Sequence, residues 1–455
     1  MYQTKTLKEK ISLFLKLFFP ILIYQFANFS ATFIDTMMTG KYSTVDLAGV
    51  SMAGSLWNPF FTLLTGIVSA LVPIIGQHLG QGNRDQIKNN FHQFSYIGLI
   101  LSAVLWLLVH FGAIPALAYV NLEPSVVTIG QDYLSWLAVG ILPLLLFSVC
   151  RSFFDSLGLT RISMYLMLLL LPFNAFFNYI LIYGKLGLPE MGGAGAGLGT
   201  ALAYWLLLLV VIAVMLVHPT IKAFQLWQWT PPHKTLLRQG FLLGLPIGLQ
   251  IFAEVAIFAT VGLFMAKFST EIISAHQAAM NFTTLLYAFP LSISITMPIA
   301  ISFELGAGDV KAAHDFANIG RLTAMVFALV TLTVLYIFRA QVAYLYGTSD
   351  TFIQLTTEFL IYAFFFQLAD AFAAPIQGIL RGYKDTTYPF VIGVLAYWGI
   401  ALPVGWGLDF MTRLGPKAYW IGLIVGLFAC GILLRLRMAQ IEKPYQAENP
   451  LEEVV

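Results

Sequence analysis

Three carboxylates stand inside otherwise apolar sequence: Asp35, Glu254 and Asp370. A charge at mid-membrane depth costs roughly 2.5–3.5 kcal/mol on insertion scales, so such acids usually face a cavity and hold a proton, a metal cation or a cationic ligand. A structural hydrogen bond or a structural pair with a basic side chain is the competing reading, and no Lys or Arg falls at comparable depth to support the pair. Polar side chains accompany the acids at helical spacing. Gln25, Asn28, Thr32 and Asp35 follow at steps of three and four residues and share one helical face. Ser51, Ser55, Asn58, Thr62, Thr65 and Ser69 make a second stripe, and Gln277, Asn281, Thr284 and Tyr287 a third. Ser, Thr and Asn also glue membrane helices together, but matching stripes in two parts of one chain favour a water-accessible substrate cleft. Glu254 has Gln250 one turn earlier. Asp370 has Gln367 and Gln377 on its helix and sits among Ala369, Ala371, Ala373 and Ala374, small residues that leave room for close packing or a cavity.

The chemistry on offer is cation binding and exchange. No Ser/His/Asp or Cys/His constellation accompanies these groups, and the phosphate-cradling loop G-x-x-x-x-G-K-[ST] is absent. The chain is therefore expected to be no enzyme and to use no cofactor beyond a coupling ion. His276 is expected to be a hydrogen-bonded helix-end residue. Arg151 with Asp155, and Arg381 with Asp385, are expected to form ion pairs at helix ends. Cys150 and Cys430 lie in apolar runs and are expected to be buried free thiols.

The elements that position these groups are membrane helices. Of 455 residues, 59% are hydrophobic and 10% charged, against about 25% charged in soluble domains; mean hydropathy is +0.81. This excludes a cytosolic enzyme, a disulfide scaffold and a disordered chain, and a net charge of +2 gives no reason to expect nucleic acid. At about 20 residues per span, the apolar runs predict twelve helices near 12–37, 49–75, 91–113, 132–152, 162–183, 195–217, 241–264, 274–302, 317–339, 357–379, 388–408 and 416–436. None alternates with period two, so the fold class is all-α polytopic rather than a barrel. The first run, behind Lys5, Lys8 and Lys10, is too long for a cleavable signal. With the N-terminus inside, 18 Lys and Arg fall inside and 6 outside, which places both termini in the cytoplasm.

A polar stretch from His218 to Gly240, carrying Trp227, Trp229, Pro231 and Pro232, divides the chain. The expected parts are an N-lobe (1–217), a cytoplasmic linker (218–240), a C-lobe (241–440) and a cytoplasmic tail (441–455). The lobes repeat one another. Shifting residues 17–84 by 226 gives 14 identities in 68, among them Lys41, Ser43 and Thr44 on Lys267, Ser269 and Thr270, and Leu79, Gly80 and Gly82 on Leu305, Gly306 and Gly308. Six helices per half means both halves enter the membrane in the same direction, related by a pseudo-twofold along its normal. The acids break that symmetry, since Asp35 falls on Val261 and Glu254 on Asn28. A repeated polytopic chain without an ATP site points to secondary transport by alternating access.

With these residues assembled, the chain resembles the multidrug and toxic compound extrusion (MATE) transporters, in their NorM-like bacterial branch. The likeness is carried by Phe33–Ile34–Asp35–Thr36–Met37–Met38–Thr39–Gly40, Gly76–Gln77–His78–Leu79–Gly80–Gln81–Gly82, Pro172–Phe173–Asn174 with Asn178 and then Gly192–Gly193–Ala194–Gly195–Ala196–Gly197, and Leu380–Arg381–Gly382–Tyr383–Lys384–Asp385–Thr386. It implies a two-lobed exporter in a bacterial cytoplasmic membrane that exchanges Na+ or H+ for organic, often cationic compounds, and that works as a monomer. It implies an N-lobe ion site at Asp35, Asn174, Asn178 and Thr200, and a C-lobe site at Glu254, Asp370 and Tyr287. Phe366 stands where some relatives have a tyrosine, so a hydroxyl ligand is missing there. Na+ is the preferred ion, with Asp35, Glu254 and Asp370 its candidate ligands, because carboxylate, amide and hydroxyl oxygens suit a hard cation; the same acids could carry protons. The competing functions are a lipid-linked precursor flippase of the same superfamily, which would be expected to have a more basic cavity, a membrane-embedded transferase and a major facilitator carrier.

Overall fold

The computed structural model describes residues 3–448, and every regular element among them is helical. Among the described residues twelve helices are long and apolar enough to cross a membrane: α1 Leu7–Tyr42, α2 Thr44–Gln81, α3 Arg84–Tyr119, α4 Pro124–Ser156, α5 Thr160–Ile182, α6 Gly193–Val217, α7 Lys234–Met265, α8 Thr270–Gly306, α9 Val310–Tyr346, α10 Asp350–Gly382, α11 Thr387–Met411 and α12 Lys417–Tyr445. The number is the one the apolar runs predict. The helices outrun those runs because polar caps, not the end of hydrophobicity, set where they begin. Ser43 accepts from the amide of Asp46, Asn83 from Gln86, Ser269 from Ile272, Asp309 from Ala312 and Ser349 from Phe352, each satisfying one orphan donor of a first turn. Ser43 and Ser269, like Asn83 and Asp309, are 226 residues apart, so the repeat is written into the caps.

The helices form two compact units whose borders are also 226 residues apart. One is Ile23–Gly248; the other joins the described residues up to Leu22 to those from Leu249 onward. The borders lie inside α1 and α7 rather than at the linker. Each falls two residues after an internal proline, Pro20 or Pro246, where a lost backbone hydrogen bond lets a helix change course. The start of α1 packs in the second unit, with the Phe18 ring 5.4 Å from Phe327 and Lys10 Nζ 2.5 Å from Asp315 Oδ2. The start of α7 packs in the first, where Gly244 and Gly248 lie so close to the carbonyls of Ile67 and Leu63 that a Cβ would overlap them.

The linker is docked in the first unit. Buried His92 on α3 bonds the Leu226 carbonyl through Nε2 at 2.6 Å, and its Nδ1 accepts from the Thr230 amide at 3.2 Å. Gln93 donates to the Pro231 carbonyl and Tyr96 to that of Thr230. Trp229 stacks on His92 at 4.4 Å yet stays half exposed, as does Trp227. The expected tail begins as a continuation of the last helix, whose backbone stays helical beyond the Tyr445 end of the α12 span to Glu448; the remainder of 441–455 lies outside the described residues. Cys150 and Cys430 are buried free thiols.

Candidate ion- and substrate-binding sites

Asp35 lies near the end of α1, and side chains from two further helices converge on it. Asn174 and Asn178, one turn apart on α5, donate from Nδ2 to Asp35 Oδ1 at 2.8 and 2.5 Å. Thr200 on α6 donates to Oδ2 at 3.2 Å, and the same hydroxyl lies 3.4 Å from Asn174 Oδ1. Both asparagines are buried. Because their amides are turned nitrogen-first toward the carboxylate, their oxygens are left over, and Asn178 Oδ1 is buried with no hydrogen-bond partner. A buried acceptor without a donor is costly. Here it adds to an oxygen set of carboxylate, amides and hydroxyl, which suits a hard cation or an incoming proton.

Sequence reasoning did not single out two neighbours of this cluster. Tyr133 on α4 and Tyr204 on α6 stand within electrostatic reach of Asp35, but a lone tyrosine in an apolar run carries no spacing signal. Gly199 is a third. A Cβ there would collide with Asn178 Oδ1, so glycine is what lets α6 approach α5 closely enough for Thr200 to reach Asp35.

The second unit gathers the other acids. Gln377 on α10 donates from Nε2 to Glu254 Oε1 on α7 at 3.3 Å. Asp370 is buried on α10, and Asp370, Tyr287 and Tyr397 all lie within electrostatic reach of Glu254. Gln250, one turn before Glu254, keeps a buried Nε2 without a partner. Gln367 is spent on packing, donating to the Thr283 carbonyl at 2.7 Å. Phe366 is buried edge-on against Phe258 at 5.8 Å, and Phe258 meets Tyr397 at 6.5 Å. Tyr397 of α11 thus joins the wall of this cluster through the Phe258 ring. Asp35 belongs to the other unit, so the three acids form two sites, not one.

Three expectations about polar groups need correcting. Asp385 does not pair with Arg381; Arg437 takes it, with Nε 2.8 Å from Oδ2. Arg381 instead has a buried, unpartnered Nε and stands within electrostatic reach of Glu254. One basic group therefore does approach the acids, because α10 remains helical past Arg381 and carries it along the Asp370–Gln377 face. Asp155 is bonded by the hydroxyls of Ser163 at 2.7 Å and Tyr24 at 3.1 Å, while Arg151 lies over the Tyr24 ring. His276 is buried edge-on to Trp420 and Phe359, and its Nδ1 has no hydrogen-bond partner.

The polar stripes point away from packing. Asn28, Thr32, Ser55, Asn58, Gln277, Asn281 and Thr284 are exposed, whereas Gln25 is buried. The hydroxyls of Thr32, Ser55, Thr62 and Thr284 bond carbonyls of their own helices, so they do not act as glue between helices. Asn281 Oδ1 accepts from Tyr346 at 2.8 Å.

This all-helical architecture, with carboxylate clusters inside membrane-spanning segments, is that of a membrane transporter. The MatE family pattern matches residues 20–180 and again 246–406, two stretches offset by 226. The chain belongs to the MatE family. It is 58% identical over 447 residues, covering 98% of this chain and 99% of the relative, to a protein of Streptococcus pneumoniae serotype 4 called "Probable multidrug resistance protein NorM". A Bacillus subtilis protein of the same name is 42% identical over 452 residues, covering 99% and 100%. Among solved structures, the eukaryotic MATE transporter AtDTX14 superposes with a TM-score of 0.84 at 18% identity over 97% of this chain and 99% of its own. A Vibrio cholerae MATE transporter, VcmN in its bent form, gives 0.84 at 18% over 97% and 99%.

Proposed function

We propose that this protein exports small organic compounds, many of them cationic, from a bacterial cell in exchange for a cation that moves inward. The names of its relatives support multidrug efflux as the task. The observation that carries the coupling reading is the Asp35 cluster: one carboxylate held by two amides and a hydroxyl, with a buried amide oxygen left unbonded. The lobes assigned to residues 1–217 and 241–440 then do different work, since the cluster in the first holds one carboxylate, Asp35, and that in the second holds two, Glu254 and Asp370. The protein sits in the plasma membrane with both termini in the cytoplasm and acts as a monomer.

Exchange at Asp35 needs no ATP. A proton or Na+ arriving from outside neutralises the carboxylate, and a cationic drug competes for the same charge. Whichever is bound, the other is excluded, and this mutual exclusion makes the exchange obligatory. Glu254 and Asp370 supply a second cation site, with Gln377 and the Tyr287 and Tyr397 side chains completing its wall. Na+ is the ion these oxygens suit best, with H+ the alternative. Efflux of a fluorescent cation such as ethidium from everted vesicles, under Na+ and H+ gradients imposed separately, tests the reading. Efflux driven by an Na+ gradient at equal pH is expected. Transport with neither gradient, or only with ATP, overturns it.

A further inference from the structure

The second unit carries a recess that none of this uses. Asn318, Arg321, Leu322 and Met325 on α9, with Ala371 and Phe372 on α10, line a space of about 350 Å3. The four α9 residues stand at i, i+3, i+4 and i+7 and share one face. The walls are apolar and the mouth carries a guanidinium. Beyond Phe372 lies Gly431 of α12, in close contact with its ring, and one turn further along α12 is Arg435.

Both arginines sit at the same membrane depth. On α9 the uncharged run between Arg321 and Arg339 spans 18 residue steps; on α12 the run between Lys417 and Arg435 also spans 18. At 1.5 Å per residue each covers about 27 Å, close to the hydrocarbon thickness of a bilayer. Arg321 and Arg435 therefore mark one headgroup plane, on the side that the Lys and Arg bias assigns to the cytoplasm. The surface running from them is lipid-facing, with Leu322, Val326 and Leu329 on α9 and Ile432 and Leu436 on α12 all largely exposed.

The arginines stand within electrostatic reach of each other, and neither pairs with an acid. Among the described residues no carboxylate oxygen comes within 4.0 Å of either guanidinium. Arg321 has only a 3.5 Å contact to Asn318 Oδ1. Glu442 acts on Arg321 electrostatically, but its carboxylate is buried and bonded to His314 at 3.4 Å. Two unneutralised cations beside an apolar recess, at headgroup depth, call for an anion that carries a hydrocarbon tail.

We infer that this recess binds one anionic phospholipid, its phosphate held between Arg321 and Arg435 and an acyl chain laid along Leu322, Met325 and Phe372. A zwitterionic lipid fits the groove but brings its own cation to the arginines, so the site selects for net negative charge. The occupant comes from the bilayer, and free phosphate lacks the chain that the groove accepts.

Native mass spectrometry of the purified full-length protein tests this, with dioleoylphosphatidylglycerol, dioleoylphosphatidylcholine or inorganic phosphate added in turn. Wild type is expected to retain phosphatidylglycerol selectively and to resist displacement by millimolar phosphate. Arg321→Gln with Arg435→Gln should weaken retention about 30-fold, near fivefold per lost guanidinium, and the double Lys replacement should restore the preference. Met325→Trp fills the recess without touching charge and should also expel the lipid, which keeps the test decisive if the double Gln chain fails to fold. Equal retention of both lipids, loss of lipid to phosphate, or unchanged retention in Met325→Trp would each overturn the site.

Discussion

Replacing Asp35 with asparagine removes one charge and almost no volume. Three donors now point at the carboxylate, at 2.5, 2.8 and 3.2 Å. An asparagine can keep its oxygen toward Asn174 and Asn178 and turn its nitrogen toward Thr200, whose hydroxyl then rotates to Asn174 Oδ1, 3.4 Å away. The network survives with neutral bonds in place of charge-assisted ones, at about 1 kcal/mol each, and burial of a charge is relieved at the same time. The fold should therefore stand, with a melting temperature within a few degrees of wild type. Function should not. A cation about 4 Å from a carboxylate gains roughly 4 kcal/mol at an effective dielectric constant near 20, which is about 1,000-fold in affinity. Calorimetric titration of the purified variant with Na+ and with tetraphenylphosphonium should show that loss for whichever cation binds at Asp35. Gradient-driven efflux from everted vesicles should fall to background. Wild-type efflux by Asp35→Asn at equal protein content would remove Asp35 from the mechanism, and coupling would then rest on Glu254 and Asp370 alone.

Further outcomes are expected. Glu254→Gln and Asp370→Asn should each cut cation-coupled efflux at least about tenfold, the effect of weakening one charge-assisted contact by about 1.4 kcal/mol, with membrane insertion intact; unchanged transport in both would mark these acids as structural. Gly199→Ala should cost about 1–3 kcal/mol through overpacking against Asn178, read as a lowered melting temperature, and should reduce efflux by displacing Thr200; unaltered stability would show that α6 has room to spare. Cysteines placed beside Arg84 and Lys234 should react with an impermeant reagent from the same face of the membrane, and labelling from opposite faces would break the orientation. His92→Phe leaves the Leu226 carbonyl and Thr230 amide without partners, so trypsin should cut the linker near Lys222 or Lys234 faster than in wild type.

The helices were legible because an apolar run of bilayer length can satisfy its backbone in lipid only by coiling into a spanning helix, and the caps at Ser43, Asn83, Ser269 and Asp309 repeated in register. The Asp35 cluster was legible in part. Asp35 stood out as a charge in apolar sequence and Asn174 with Asn178 by their four-residue spacing, but their meeting depended on the resemblance to a family. Tyr133, Tyr204 and Tyr397 were invisible because an aromatic residue in a membrane helix is ordinary until a neighbour gives it a task. Arg381 was misplaced for a physical reason. Hydropathy ends α10 near residue 379, while the backbone continues as helix to Gly382 and carries the guanidinium inward. Its nearby acid, Asp385, was already claimed by Arg437, a partner 52 positions away that local pairing rules cannot see.

The exchange at Leu22 and Gly248 bears on how the protein is made. The unit from Ile23 to Gly248 is one uninterrupted stretch and has all its parts once the start of α7 has been synthesised. The beginning of α1 has no such completeness. Lys10 meets Asp315 only after 305 further residues have been added, which at about 5–20 residues per second takes roughly 15–60 s. During that time the first-made turns of the protein wait in the bilayer for partners not yet translated. A gene cut at the linker would likewise leave the N-terminal fragment holding an α1 end that packs only with the later half, and the C-terminal fragment holding an α7 end that packs only with the earlier one. Neither half is a finished unit without the other's contribution.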